Sequence, residues 1–197
     1  MIVHTKGVYV VTTKWIVVDT ESCPKEGFGK TDPMGLRRLG QSPLTGVMVC
    51  FGAAELVSKQ TFYGELYPWV PDPEIPAMPM IVGRGLPKKL VCARFVKWLD
   101  SFRADRLVLI SDNNSWDSMW MNYFFEECET ENPFGFSGRR IGDFYAGLQV
   151  NWLDNTSWKR FRRTEHSHKP DDDALGNAEA LEHLLRESGQ WAKVVLG

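Results

Sequence analysis

The chain has only four cysteines, Cys23, Cys50, Cys92 and Cys128, and no two of them form a C-x-x-C pair. That scarcity argues against a structural zinc site, which needs clustered soft ligands. It suits buried thiols in a reducing compartment, so a cytoplasmic protein is expected. No run of 18 apolar residues occurs, which excludes a conventional membrane-spanning helix. The stretch from Met1 to Val11 is interrupted by His4 and Lys6 and has no small-residue cleavage site, so no signal peptide is expected. Internal repeats and low-complexity tails are missing too. A net charge of −2 is not that of a polycation. A nucleic-acid partner would therefore have to be met by local basic patches and bound cations.

What is present is ordinary globular usage, 43% hydrophobic and 24% charged over 197 residues. That length suits one domain with a sizeable core. A single domain over residues 1–197 is expected, with a short N-terminal extension (1–13) and a proline-rich insertion (68–87). Lys14 to Asp19 contains Trp-Ile-Val-Val, the pattern of a buried central strand. Residues 23–45 are rich in glycine and proline and predict a long loop. Gly46 to Leu56 and Gln60 to Leu66 read as two further strands with a turn near Ser58-Lys59, giving an antiparallel meander. Six prolines between 68 and 87 exclude a helix or a central strand there. Lys88 to Phe102 has one apolar helical face, and Arg106 to Ser111 is another buried strand. Ser115 to Cys128 predicts a helix capped by Asn114 or Ser115. Short helices are expected over Ile141 to Val150 and Trp158 to Arg163, and a final helix over Asp173 to Glu187 that stops at Gly189. Strand, helix, strand order predicts an α/β domain with a mixed sheet.

Against that frame of elements, a few acids stand out. Asp19 and Glu21 are two apart on a strand, so their carboxylates share a face. The alternative is a strand end whose acids face water. Asp117 follows the Leu107–Ile110 strand and sits at the start of a helix, with Asp112 as its competitor; either could simply favour a helix N-terminus. Asp171, Asp172 and Asp173 open the last helix, and only one of them need serve a site. His168 precedes Asp173 by five residues, while His4, His166 and His183 read as surface histidines. Carboxylates gathered in one concave site call for hard cations such as Mg²⁺ or Mn²⁺. Two such ions about 3.5–4 Å apart can activate water and relieve charge on a leaving oxygen. The segment Trp158-Lys159-Arg160-Phe161-Arg162-Arg163, with Arg139 and Arg140, interleaves basic and aromatic residues. It fits a grip on a sugar–phosphate backbone, or equally the charged outer face of an amphipathic helix.

Three motifs in order, Asp19-x-Glu21, Asn114-x-Trp116-Asp117 and His168-x-x-x-x-Asp173, resemble those of the DEDDh branch of the RNase H-like 3′–5′ exonucleases. They span residues 19 to 173. The stretch Asp173-Ala-Leu-Gly-Asn-Ala-Glu-Ala-Leu is similar to the small mycobacterial-type exoribonuclease branch. The resemblance implies a mixed five-stranded sheet, its first three strands antiparallel, flanked by helices. It implies that Asp19, Glu21, Asp117 and Asp173 hold two Mg²⁺ or Mn²⁺ ions and that His168 is the general base. Asn114, Trp116, Arg139, Arg140, Lys159, Arg160, Arg162 and Arg163 are the candidates for substrate contact. The partner would be the 3′ end of a nucleic acid, RNA in preference to single-stranded DNA, with no membrane. The oligomeric state is left open, a homodimer included. The competing readings are a retired nuclease fold that only binds nucleic acid, and a structural protein whose acids cap helices. All five signature residues are in place, which favours an enzyme.

Overall fold

The computed structural model describes residues 11–24, 42–67 and 83–196. Most of the expected N-terminal extension (1–10), most of the glycine- and proline-rich loop (25–41) and most of the insertion (68–82) lie outside the described residues.

Strand β1, Thr13–Pro24, begins at the Trp-Ile-Val-Val run but does not stop at the acids. It continues through Cys23 and Pro24, with a register shift between Glu21 and Ser22. Strands β2, Gly46–Glu55, and β3, Thr61–Tyr67, complete the expected antiparallel meander. Buried Glu55 holds the turn between them, accepting hydrogen bonds from the Val57 and Ser58 amides at 3.2 and 2.6 Å. Lys59 takes a positive φ of 60° there.

Strand β4, Leu86–Pro87, pairs in parallel with β3 at the sheet edge, where a proline costs no ladder bond. Helix α1, Lys88–Asp100, then leads to β5, Arg106–Ser111, which is parallel to β1. Helix α2, Asn114–Glu127, connects β5 to β6, Gly138–Arg140, again in parallel. Helix α3, Ile141–Leu148, a 3-10 helix over Ser157–Phe161, α4, Pro170–Glu187, and α5, Trp191–Leu196, complete the described chain. The sheet order is β4-β3-β2-β1-β5-β6. The mixed sheet with three antiparallel strands first, flanked by helices, is the expected architecture. Strand β6 supplies the fifth strand and β4 a sixth; at three and two residues neither is long enough to show periodicity.

Local signals met the structure unevenly. The last helix starts at Pro170, because proline's fixed φ and missing donor suit a first turn. Gly189 closes it at φ 69°: its amide bonds the Arg186 carbonyl, and the Gln190 amide bonds the Leu185 carbonyl. The expected cap of α2 is not formed. Asn113 holds the N-cap position without a side-chain bond, and the Asn114 Oδ1 instead accepts from Ser118 Oγ at 2.9 Å, one turn along. The basic segment coils as a 3-10 helix that ends at Phe161, since Arg162 is extended.

Period-two alternation in β1 splits the core between the two sheet faces. Ile16 and Val18 pack with Phe51, Phe95, Trp120 and Phe124 under α1 and α2. Val17 packs with Ala54, Ile110, Trp158, Ala174, Ala178 and Leu181 under α3 and α4. Each large side chain buried in this way stabilises the fold by roughly 1.5–3 kcal/mol. Asp19 and Glu21 follow Val17 on the α4 face, which is how burial of the Val17 side chain aims both acids at one helix.

Candidate metal and active site

Glycine at position 52 brings α4 to the acids. Asp19 pairs with Gly52 across the β1–β2 ladder. A Cβ built on Gly52 would lie 2.1 Å from the Asp171 amide nitrogen and 2.1 Å from the Pro170 carbonyl carbon. The first turn of α4 therefore rests on bare backbone beside Asp19, an approach that any side chain at 52 would block. Asp173 is buried on that turn, at 1% exposure. Its neighbours differ: Lys169 Nζ lies 3.0 Å from Asp171 and 3.6 Å from Asp172. Among the three consecutive acids Asp173 is the most deeply buried, although Asp171 also turns one oxygen, Oδ1, inward.

Asp117 reaches the site from the first turn of α2, at 3% exposure. Its Oδ1 accepts the Thr20 amide at 3.0 Å and the Thr20 hydroxyl at 2.8 Å. Thr20, between the two β1 acids, is thus the residue that ties the second motif to the first. Trp116 reinforces the tie by donating from Nε1 to the Thr20 carbonyl at 3.4 Å. Asp112, the alternative to Asp117, is ion-paired with Lys159 at 2.6 Å.

The four carboxylates sense one another. Burial pushes Asp19 well above the usual carboxylate range, and repulsion from Asp117, Glu21 and Asp173 adds to it. Glu21 is raised to about 7, by burial first and then by Asp173 and Asp117. Asp117 is raised to about 7, again chiefly by burial, although its bonds to Thr20 act the other way. Acids crowded so closely favour a bound cation. Asp173 adds a direct indication, since its Oδ2 is buried with no hydrogen-bond partner. A buried bare carboxylate oxygen is unfavourable unless something positive meets it. An all-oxygen donor set of this kind fits Mg²⁺ or Mn²⁺.

His168 lies at φ 60°, in the left-handed region, held by a bond from the Lys169 amide to Ser167 Oγ at 3.2 Å. It is exposed and its ring sits 4.3 Å from that of His166. Ligand atoms of His166, His168 and Asp173 all lie within 4.8 Å of one another. His166, read from sequence as a surface histidine, places Nδ1 2.8 Å from Asp173 Oδ1.

The basic residues divide. Lys159, Arg160, Arg162 and Arg163 line a groove with Thr164, Glu165 and His166. Arg162 is the exception among them, since its guanidinium turns inward and bonds Asp173 Oδ1 at 2.8 Å. Arg139 stacks on Trp15 at 4.7 Å, and Arg140 is bonded to the Asp112 carbonyl and to Asp143. Both line a separate, mostly apolar cavity with Trp15, Phe144 and Leu185. No helix among the described residues is long and apolar enough to cross a membrane.

No model of a known protein family matches the chain. The 3′–5′ DNA exonuclease Cap18 of Escherichia coli is 29% identical over 128 residues, 57% of this chain and 66% of that protein. The match thus spans just under two thirds of the relative. Among solved structures, the nuclease domain of 3′hExo, a DEDDh family member bound to rAMP, superposes with a TM-score of 0.65 at 13% identity. It covers 91% of this chain and 94% of that domain. The chain shares the fold of that DEDDh nuclease domain, and its similarity to a 3′–5′ exonuclease agrees with the family resemblance noted from the sequence.

Proposed function

We propose that this chain is a metal-dependent 3′–5′ exonuclease that releases nucleoside monophosphates from the 3′ end of a nucleic acid. The observation that carries the reading is the convergence of four mutually repelling carboxylates, from β1, α2 and α4, beside a histidine loop and a basic groove. Asp19, Glu21, Asp117 and Asp173 would hold two Mg²⁺ or Mn²⁺ ions. Bound there, the ions supply a hydroxide at neutral pH and stabilise charge on the departing oxygen. His168 takes the proton from the attacking water, as an exposed imidazole on a loop over the acids can do. Lys159, Arg160 and Arg163 hold the phosphates of the strand behind the 3′ end. Asn114 and Trp116, at the start of α2, border the terminal nucleotide. The buried free thiols suit a reducing compartment, and we place the activity in the cytoplasm.

RNA is the substrate we favour, on the similarity of the Asp173 to Leu181 stretch to exoribonucleases. Similarity to a DNA exonuclease supports single-stranded DNA as the second reading. Single-stranded RNA and DNA, labelled at the 3′ or the 5′ end and incubated with Mn²⁺, test both. Immediate release of 3′ label as a mononucleotide is expected, with RNA degraded faster. Label lost first from the 5′ end, or a strand bound but uncut, would refute the reading.

A further inference from the structure

Among the described residues, Arg162 is a nearly buried cation beside the acids, with its side chain 8% exposed. Its Nη2 bonds Asp173 twice, the carboxylate Oδ1 at 2.8 Å and the main-chain carbonyl at 3.1 Å. Oδ1 also meets His166 Nδ1 at 2.8 Å and the Ser167 amide at 3.2 Å. Two donors, Arg162 Nη2 and the Ser167 amide, thus converge on one oxygen of Asp173, with the His166 ring beside it and against Arg162 Nη1 at 3.4 Å, while Oδ2 is buried and bare. A carboxylate held in this lopsided way has its rotation fixed and one oxygen left to give.

The chain is shaped to put the guanidinium there. Gly176 is three residues after Asp173 and lies on the same side of α4. A Cβ at 176 would stand 2.5 Å from Arg162 Nε, 2.8 Å from the Thr164 carbonyl oxygen and 3.0 Å from Nη2, so the glycine admits both the guanidinium and the segment that carries it. Glu179, one turn further on, accepts the amides of Arg163 and Thr164 on Oε2 at 2.9 and 2.8 Å. That carboxylate fastens the extended segment after the 3-10 helix to α4 and sets where Arg162 begins.

We propose that Arg162 is a positioning residue for the metal centre: it clamps Asp173 by Oδ1 so that Oδ2 points at the cation. The clamp rests on the proposed two-metal reading and assigns Arg162 a role other than gripping substrate. It also predicts the sign of an effect. A guanidinium acting only by its charge would repel Mn²⁺, so its removal would tighten binding; a clamp, when removed, weakens it.

The test is Mn²⁺ binding by electron paramagnetic resonance and calorimetry at pH 8, with the parent protein and with Arg162→Ala, Arg162→Lys, Gly176→Ala and Asp173→Asn. Arg162→Ala is expected to weaken Mn²⁺ about 10–100-fold, the range for loss of an outer partner of a metal ligand. Arg162→Lys, which keeps one donor and the charge, should recover part of the loss. Gly176→Ala keeps the arginine but evicts it from its slot, and should weaken binding as well; it carries the test if Arg162→Ala does not fold. Unchanged or tighter Mn²⁺ binding in both Arg162→Ala and Gly176→Ala would overturn the clamp. If Asp173→Asn itself binds Mn²⁺ like the parent, the underlying metal-site reading fails instead.

Discussion

Asp19 and Gly52 sit opposite each other across the β1–β2 ladder, and the first turn of α4 rests on the glycine. One residue carries a site carboxylate; the other, by having no side chain, admits the helix that brings Asp173. Gly52→Ala should therefore be far more damaging than its size suggests. The new methyl meets main-chain atoms of Pro170 and Asp171, which have no rotamer by which to escape. A loss of about 1–3 kcal/mol is expected from the overpacking. Thermal melting would show it, together with loss of the Mn²⁺-induced rise in melting temperature. A variant as stable as the parent that still responds to Mn²⁺ would contradict this placement of α4.

Asp19→Asn should separate stability from activity. Asparagine cannot ionise, so the variant escapes the cost of holding a carboxyl whose charged form is disfavoured by burial and by Asp117, Glu21 and Asp173. In EDTA the variant should melt higher than the parent, by roughly 2–4 °C for each kcal/mol relieved. With Mn²⁺ present its hydrolysis should fall to background. A lower melting point in EDTA, or retained hydrolysis, would count against the carboxylate cluster.

Dependence on pH follows from Glu21 and Asp117, both raised to about 7 in the metal-free protein. A carboxyl whose folded pKa is raised binds its proton more tightly in the native state. Its contribution to stability is full below the ordinary carboxylate range and is lost as pH rises through about 7. The metal-free protein should lose stability from these groups between about pH 4.5 and 8, and cations must displace their protons. The gap in melting temperature between Mn²⁺ and EDTA should widen from pH 6 to pH 8. A gap that narrows would be the opposite sign.

The two loop histidines make distinguishable predictions. His168→Ala should lower kcat by about 10²–10⁴-fold, the usual range for a general base, with Mn²⁺ affinity kept. His166→Ala removes one of three groups against Asp173 Oδ1, so it should weaken Mn²⁺ more than it lowers kcat at saturating metal. Steady-state kinetics across a Mn²⁺ titration would tell them apart. Interchanged results would make His166 the base.

Much of this was legible in order of residues. Trp-Ile-Val-Val announced a buried strand because burial on both faces demands an unbroken apolar run. Leu181, Leu184 and Leu185 announced α4 by their spacing. Gly52 did carry a signal, a glycine inside an apolar strand, which marks a close approach without saying of what. His166 and Arg162 carried none: a histidine two before a motif, and one arginine in a basic run, look alike whether they face water or an acid. The inward turn of Arg162 depends on Gly176 and Glu179, which lie more than ten residues further along the chain.

By itself the sequence determined the longer elements, their order and which acids could share a face, because backbone periodicity converts spacing directly into side-chain direction. Which of Asp171, Asp172 and Asp173 is most deeply buried, which oxygen of Asp173 is bare, and which cation stands behind it were decided only by tertiary packing. Those outcomes hinge on contacts between residues distant in the chain, such as Gly52 with Pro170, where absence of a single methyl group sets how closely a helix can approach a sheet.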